Sequence, residues 1–420
     1  MSETPTTTAN GDPHRVPARQ GGAGFPAEVF RAFLKLGVSS FGGPIAHIGY
    51  FHSEFVLRRR WLDEAAFADL VALCQLLPGP ASSQVGFSIG LLRAGYRGGL
   101  AAWTGFTLPS AIVLVLFAYG ASALTSSGAL ALLHGLRLVA VAIVAQAVWG
   151  MARTLSSGPA RASITVAAAF IVLLSQSTGA QLTAIALGAV LGRLTCSPAE
   201  AGDSQPTLRI AVSRRAGALA FTAFLALLIV PPLLSPLVAW PGLDLFNAFY
   251  RSGALVFGGG HVVLPLLRQA FVTPGWVTDN TFLAGYGAAQ AVPGPLFTFA
   301  AYLGAVVHPT PHGLPGAALG LVSLFLPGTL ILLGALPYWE SLRRSIGARA
   351  MMSGVNAAVV GLLAAALYQP LWTTSVMSPA DFGVVLVGFV LLTVLRIPPL
   401  LVVASLAAAA LALRVLVGVI

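Results

Sequence analysis

An all-α polytopic membrane protein made of two inverted homologous repeats is the fold class this sequence predicts, and three observations predict it. The chain has 420 residues, 57% of them hydrophobic and only 9% charged, where a soluble domain carries about 25% charged residues. Several apolar runs approach or exceed the roughly 20 residues that cross a bilayer. Two Gly/Pro-rich motifs also recur about 215 residues apart. Phe41-Gly42-Gly43-Pro44 returns as Phe257-Gly258-Gly259-Gly260, and Gln75-Leu76-Leu77-Pro78-Gly79-Pro80 returns as Gln290-Ala291-Val292-Pro293-Gly294-Pro295. Trp61 and Trp276 fall between the motifs at matching places. Breaks inside duplicated apolar segments are the mark of secondary transporters, whose broken or re-entrant helices meet near the membrane midplane.

Along the chain, residues 1–26 are polar and rich in Thr, Gly and Pro, and read as a disordered tail rather than a signal peptide. Apolar segments follow at 27–57, 64–92, 99–121, 128–152, 162–176 and 180–195, the first broken at Gly42-Gly43-Pro44 and the second at Pro78-Gly79-Pro80. The polar stretch 196–215 then opens the region 196–244, which is expected to hold a cytoplasmic linker and a connecting transmembrane helix at 216–240. The second series lies at 245–272, 281–307, 314–338, 350–370, 381–395 and 397–418, with breaks at Gly258–Gly260 and Pro293-Gly294-Pro295. The repeats are therefore expected at 27–195 and 245–420.

An odd number of crossings between equivalent elements turns the copies upside down relative to each other. That holds whether the broken segments span or fold back as hairpins. If they span, the Arg58-Arg59-Arg60 triplet lies on the side opposite most other arginines. If they are hairpins, with arms of about 14 residues or about 21 Å, the triplet joins the arginine-rich side and only Arg268 is out of place. That rule puts the N-terminus in the cytoplasm. The net charge of +10 then reflects positive-inside arginines and attraction of an anion rather than nucleic-acid binding.

Proline is favoured at the first helical position. Pro44, Pro80 and Pro295 are therefore expected to begin helices after each break, aiming free N–H groups and a positive dipole end into the membrane core. Gly42, Gly43, Gly79, Gly258, Gly259 and Gly294 would let an anion approach the backbone. Glycines outside the motifs, such as Gly188, should tolerate valine. Ser39, Ser40, Gln75, Pro78, Ser82, Ser83 and Gln84 cluster at the first-repeat breaks, with Gln290, Pro293, Thr298 and His261 in the second. Lys35 is the only lysine in the chain and sits mid-arm, with Arg251 as its repeat partner. Such a cation binds an anion or snorkels to the interface. Arg137, beside His134, is a weaker candidate. Asp69, His47 and Glu54 are candidates for proton coupling. No Walker A run, HExxH, GxSxG or paired carboxylates occur, so no enzyme activity is expected, and the two cysteines make neither a disulfide framework nor a metal-binding spacing.

These same residues resemble the chromate ion transporter (CHR) family. Phe41-Gly42-Gly43-Pro44 with Trp61, Gln75–Pro80 followed by Gly90 and Arg97-Gly98, Phe257–Gly260 and Ala291–Pro295 together resemble its long, two-domain form. The resemblance implies an inner-membrane exporter of chromate, an isostere of sulfate, driven by a proton or potential gradient and needing no cofactor. One departure is Gly260 where the first copy has Pro44. A carrier for sulfate or another oxyanion, or an enzyme acting on anionic lipid, are the alternatives. The partners expected are the oxyanion and the lipid bilayer, with no nucleic acid and with a homodimer as one open arrangement.

Overall fold

Each broken segment turns back on itself. In the computed structural model, which describes residues 25–41, 43–123, 127–175, 178–196, 212–238, 240–256, 262–308, 311–339, 341 and 345–417, α1 (Pro26–Ser39) runs inward and ends at Ser40, whose backbone is extended. Gly43, at φ +78°, takes a conformation that suits glycine. From it α2 (Gly43–Phe51) and a π turn (His52–Arg58) run back out. The return brings Arg59 to 3.9 Å from Glu28 in the first turn of α1. Asp63 then caps α3 (Glu64–Leu76), accepting a hydrogen bond from the Ala66 N–H. After the Pro78-Gly79-Pro80 break, the first arm of α4 (Ala81–Ala123) also returns, placing Arg93 3.2 Å from Glu28. The α4 helix is interrupted at Ala94 and Gly95, and its second arm, 96–123, crosses the molecule.

The second repeat is built alike. α9 (Pro241–Ala254) and α10 (Val263–Phe271) form one hairpin, and α11 (Asp279–Ala291) forms the next with α12 (Phe299–Val306), which a 3₁₀ turn over Leu296–Thr298 precedes. α13 (Gly313–Ala335) is the crossing helix that matches the second arm of α4. One aromatic trio braces each first hairpin. Phe33 stacks on Phe55 at 4.7 Å and Phe55 on Trp61 at 4.8 Å; Phe249 meets Phe271 at 4.5 Å and Phe271 meets Trp276 at 5.8 Å. The duplicated tryptophans thus close the outer ends of the hairpins. Arg59 and Arg93 lie over the Trp61 ring, and the His308 N–H donates to the Trp276 carbonyl at 3.2 Å.

The two hairpin mouths lie at opposite ends. The second arm of α4 leaves the first mouth beside Arg93. About 35 Å later at 1.5 Å per residue, it reaches Gly313 at the second mouth, where a Cβ would lie 2.9 Å from the Tyr119 hydroxyl. α13 runs the reverse way. The repeats are therefore inverted, and the hairpin alternative is the one that the structure adopts.

Around this pair stand α5 (Ser127–Leu155), α6 (Pro159–Leu174), α7 (Thr178–Thr195) and α8 (Arg214–Leu234), then α14 (Ile346–Ala366), α15 (Pro379–Thr393) and α16 (Pro399–Val417). Among the described residues five helices are long and apolar enough to cross a membrane: 81–120, 134–155, 214–234, 313–338 and 346–375. Their surfaces expose Leu116, Leu233 and Leu314, and the shorter α6 exposes Phe170, as a lipid-facing perimeter requires. α7 and α14 approach through glycines, as helices packed in lipid do. A Cβ on Gly188 would lie 2.6 Å from that of Ala358 and 2.8 Å from the Gly354 carbonyl. Valine at Gly188 would therefore force the two helices apart, against the expectation that this glycine is dispensable. Gly150 has nothing within 4 Å of such a Cβ and is the sounder control.

Element directions put Arg58, Arg59, Arg60, Arg93, Arg97, Arg153, Arg161, Arg193, Arg214, Arg215, Arg349 and Arg396 at the end of the first mouth. Arg268 lies at the other end, neutralised by Asp279 through two 2.9 Å bonds. In a background lacking Cys74 and Cys196, Ser53→Cys and Thr273→Cys should react with impermeant thiol reagents from opposite faces of the membrane. Labelling of both from one face would refute the inverted hairpins.

Candidate functional site at the crossing of the repeats

Two hydrogen bonds tie the breaks of one repeat to those of the other. The Gly79 N–H donates to the Val256 carbonyl at 2.7 Å, and the Gly294 N–H donates to the Ser40 carbonyl at 2.8 Å. Val256 and Ser40 each stand immediately before a Phe-Gly-Gly motif. The exchange is thus reciprocal: the Pro-Gly-Pro glycine of each half seizes the Phe-Gly-Gly break of the other. Both glycines have positive φ, +119° and +102°.

Each crossing rests on the middle of a spanning helix. A Cβ on Gly79 would lie 2.7 Å from the Gly328 Cα, and one on Gly294 would lie 2.8 Å from the Ser110 Oγ. Gly328 follows Pro327 in α13 as Ser110 follows Pro109 in α4, and each proline stands inside its helix. A proline in a helix frees a carbonyl one turn back, which leaves polar backbone at membrane depth. α4 and α13 therefore contribute to the site. The signal in the sequence is that Pro109 and Pro327 stand at roughly matching places in the two repeats; the contacts themselves join residues too distant in the chain to be read from it.

The expected donors fall into two groups. Several are already engaged. The Gly79 and Gly294 N–H groups are used between the repeats, so they are not free to meet an anion as expected. The Gln84 amide nitrogen donates to the carbonyls of Pro78 (2.9 Å) and Gly328 (2.8 Å), leaving only its Oε1, an acceptor. Thr298 donates to the Pro295 carbonyl at 2.7 Å and Ser39 to the Lys35 carbonyl at 2.8 Å. These residues set the shape of the breaks.

The other group has hydroxyls and an amide to offer. Ser40 Oγ, Ser83 Oγ and Thr107 Oγ1 are buried without a hydrogen-bond partner, an arrangement that native interiors keep rare, while the Gln290 amide hydrogen-bonds to the Tyr286 hydroxyl and has a second N–H to offer. Thr107 lies on α4 beside Ser110, and its carbonyl accepts from the Ser110 hydroxyl at 3.0 Å. Ser82 is buried as well, whereas Gln75 is exposed on α3. Pro44 opens α2, Pro80 precedes the first turn of α4 and Pro295 precedes the 3₁₀ turn before α12. Beside Gly43 there is open space, with nothing within 4 Å of a built Cβ. Gly42, Gly258, Gly259, Gly260 and His261 lie outside the described residues.

The two repeat-related cations differ in their surroundings. Lys35 lies 3.7 Å from Glu54, a buried carboxylate that Arg58 and Arg59 also hold at 2.7 Å each. Three cations on one carboxylate keep Glu54 ionised, which argues against its expected role as a proton carrier. Arg251 makes no ion pair among the described residues. It lines a cavity of about 350 Å³ with Asp244, Asn247, Ser252, Gln181 and Trp276, and this cavity lies beside the hairpin of α9 and α10, against α7 and α8. Asp69 is buried in α3 and His47 is buried against the Phe106 ring at 5.1 Å.

Comparison with known proteins agrees with this architecture. A family model described as chromate transporter matches twice, over residues 27–193 and 243–413. The chain belongs to the chromate transporter family. A probable chromate transport protein of Synechococcus elongatus is 27% identical over 348 residues, covering 81% of this chain and 83% of the relative. Chromate transport proteins of Cupriavidus metallidurans and Pseudomonas aeruginosa are 26% and 28% identical, covering 87% and 80% of this chain and 86% and 79% of theirs. No solved structure matches. The two matched stretches of the chromate transporter family coincide with the two hairpin-bearing halves, so the family model describes the unit that is here duplicated and inverted.

Proposed function

We propose that this chromate transporter family member is a secondary carrier that exports chromate across the bacterial inner membrane, driven by the proton gradient, with its N-terminus in the cytoplasm. The observation that carries this reading is the reciprocal crossing: each Pro-Gly-Pro break bonds to the residue that leads into the other repeat's Phe-Gly-Gly motif, next to buried hydroxyls that have no hydrogen-bond partner. A tetrahedral dianion is held by such donors and by helix N-termini, without a large excess of cations. Ser40, Ser83, Thr107 and Gln290 supply the donors, Lys35 and Arg251 attract the anion from either end, and Gly43 leaves it room. The chemistry is binding and release, so no cofactor enters. The relatives, too, are described as transport proteins.

Hydroxyl and amide donors bind sulfate as they bind chromate, so sulfate is the competitor to measure. In inverted membrane vesicles, an imposed pH gradient should drive accumulation of chromate, and excess sulfate should reduce it. Chromate that fails to accumulate while sulfate does would make this a sulfate carrier. Accumulation that ignores the pH gradient would remove the proton coupling.

A further inference from the structure

Away from the crossing, a second buried polar cluster joins the two repeats. His134, in α5, places Nε2 2.8 Å from the Asp381 Oδ1 in the first turn of α15, and both side chains are 6% exposed. The other Asp381 oxygen accepts from the Met377 and Ser378 backbone N–H groups at 2.9 and 3.0 Å. One turn along α5, Arg137 donates to His134 Nδ1 at 3.3 Å and to the Asn280 side-chain oxygen at the start of α11. Nothing in the oxyanion path described above uses these groups.

The geometry points to a proton-binding site at His134, whose occupancy sets the position of Arg137 and, through α11, of the crossing. This rests on the reading of the protein as a proton-coupled carrier. With Arg137 donating to Nδ1, that nitrogen is an acceptor, and His134 is neutral with its proton on Nε2, facing Asp381. A proton arriving at Nδ1 would set donor against donor and cation against cation. Arg137 must then leave, and it releases Asn280 as it goes. The Asp381 carboxylate still faces Nε2–H, so the imidazolium keeps its counter-ion. A proton therefore binds only when Arg137 is undocked, and linkage makes the converse equally true.

The movement has a short route to the site. α11 touches α5 backbone to backbone: a Cβ on Gly287 would lie 2.2 Å from the Leu136 carbonyl. The same helix ends at Ala291, three residues before Gly294, which bonds to Ser40. Other charges around the cluster are accounted for. On α11, Asp279 is paired with Arg268. On α14, Arg349 lies at the opposite end, and the π turn that follows carries Tyr368, which is exposed. Over its described side chains α16 has no ionisable group.

The test uses purified protein in liposomes, with the membrane potential clamped at zero. His134→Gln keeps a donor for Asp381 and an acceptor for Arg137 but has no basic nitrogen. It should lose chromate accumulation driven by a pH gradient, yet keep chromate exchange at equal pH. Arg137→Ala removes the cation that opposes protonation, so its pH profile of accumulation should move to higher pH. A His134→Gln protein that accumulates chromate normally, or that loses exchange while remaining folded, overturns the proton site. So does an Arg137→Ala profile that stays in place or moves down, and this variant serves also if His134→Gln fails to fold. Wild-type protein that exchanges neither chromate nor sulfate would instead fail the carrier reading and take the proton site with it.

Discussion

Valine at Gly79 or at Gly294 is expected to abolish chromate transport, and each alone should suffice. At φ +119° and +102°, a residue with a Cβ pays the strain of left-handed backbone, about 1–2 kcal/mol. The Cβ itself would stand 2.7 Å from the Gly328 Cα, or 2.8 Å from the Ser110 Oγ, and overpacking adds about 1–3 kcal/mol. These sums leave many membrane proteins folded, but the two substitutions fall where one repeat grips the other. Transport in vesicles, measured beside protein level and thermal stability, separates the effects. Gly150→Val, with open space around it, should transport normally. Gly43→Val meets strain alone, at φ +78° with no neighbour within 4 Å, so any further loss of transport there reports a ligand in that space. Failure of the Gly79 variant alone would make the second half a scaffold.

Lys35→Ala should remove chromate export while leaving the protein folded. Glu54 keeps Arg58 and Arg59 at 2.7 Å after the change, so no buried charge is stranded. The lost pair is half in solvent, at 57% exposure for Lys35, and exposed pairs contribute about 0–1 kcal/mol. A large functional loss would then come from the missing cation rather than from the fold. Lys35→Arg should retain part of the activity, since it keeps the charge but changes its reach and geometry. Chromate resistance in cells and initial rates in vesicles both read this. Export at the wild-type rate by Lys35→Ala would make Lys35 an interfacial side chain that plays no part in the path.

The fold was largely legible because its signals are local. Apolar runs, Gly/Pro breaks and the paired tryptophans Trp61 and Trp276 each reside within a few residues, and duplication made them unambiguous. Whether the breaks fold back was settled by ion pairs across the chain, such as Arg59 with Glu28 and Arg93 with Glu28, that no local pattern specifies. The site was legible only in part. Ser40 and Ser83 stand in the motifs and have free hydroxyls, but Gln84 and Thr298, chosen on the same grounds, spend their donors on nearby carbonyls. Side-chain type identifies what a residue can donate; only packing decides to what. Thr107 and Ser110 were missed because a lone Pro in a spanning helix reads as a tolerated kink. Gly188 was misjudged for a related reason, since close approach of α7 and α14 leaves no trace beyond small residues on both.

The central claim is that an oxyanion binds where the breaks of the two inverted repeats cross. Anomalous diffraction at the chromium edge, from crystals soaked in chromate, locates the metal atom of the substrate directly. The account expects a peak at mid-depth of α4 and α13, within hydrogen-bond reach of the Ser40, Ser83 or Thr107 hydroxyls. Chromium found only elsewhere, in the cavity beside Arg251 or at the surface, with the crossing empty at saturating chromate, would contradict it.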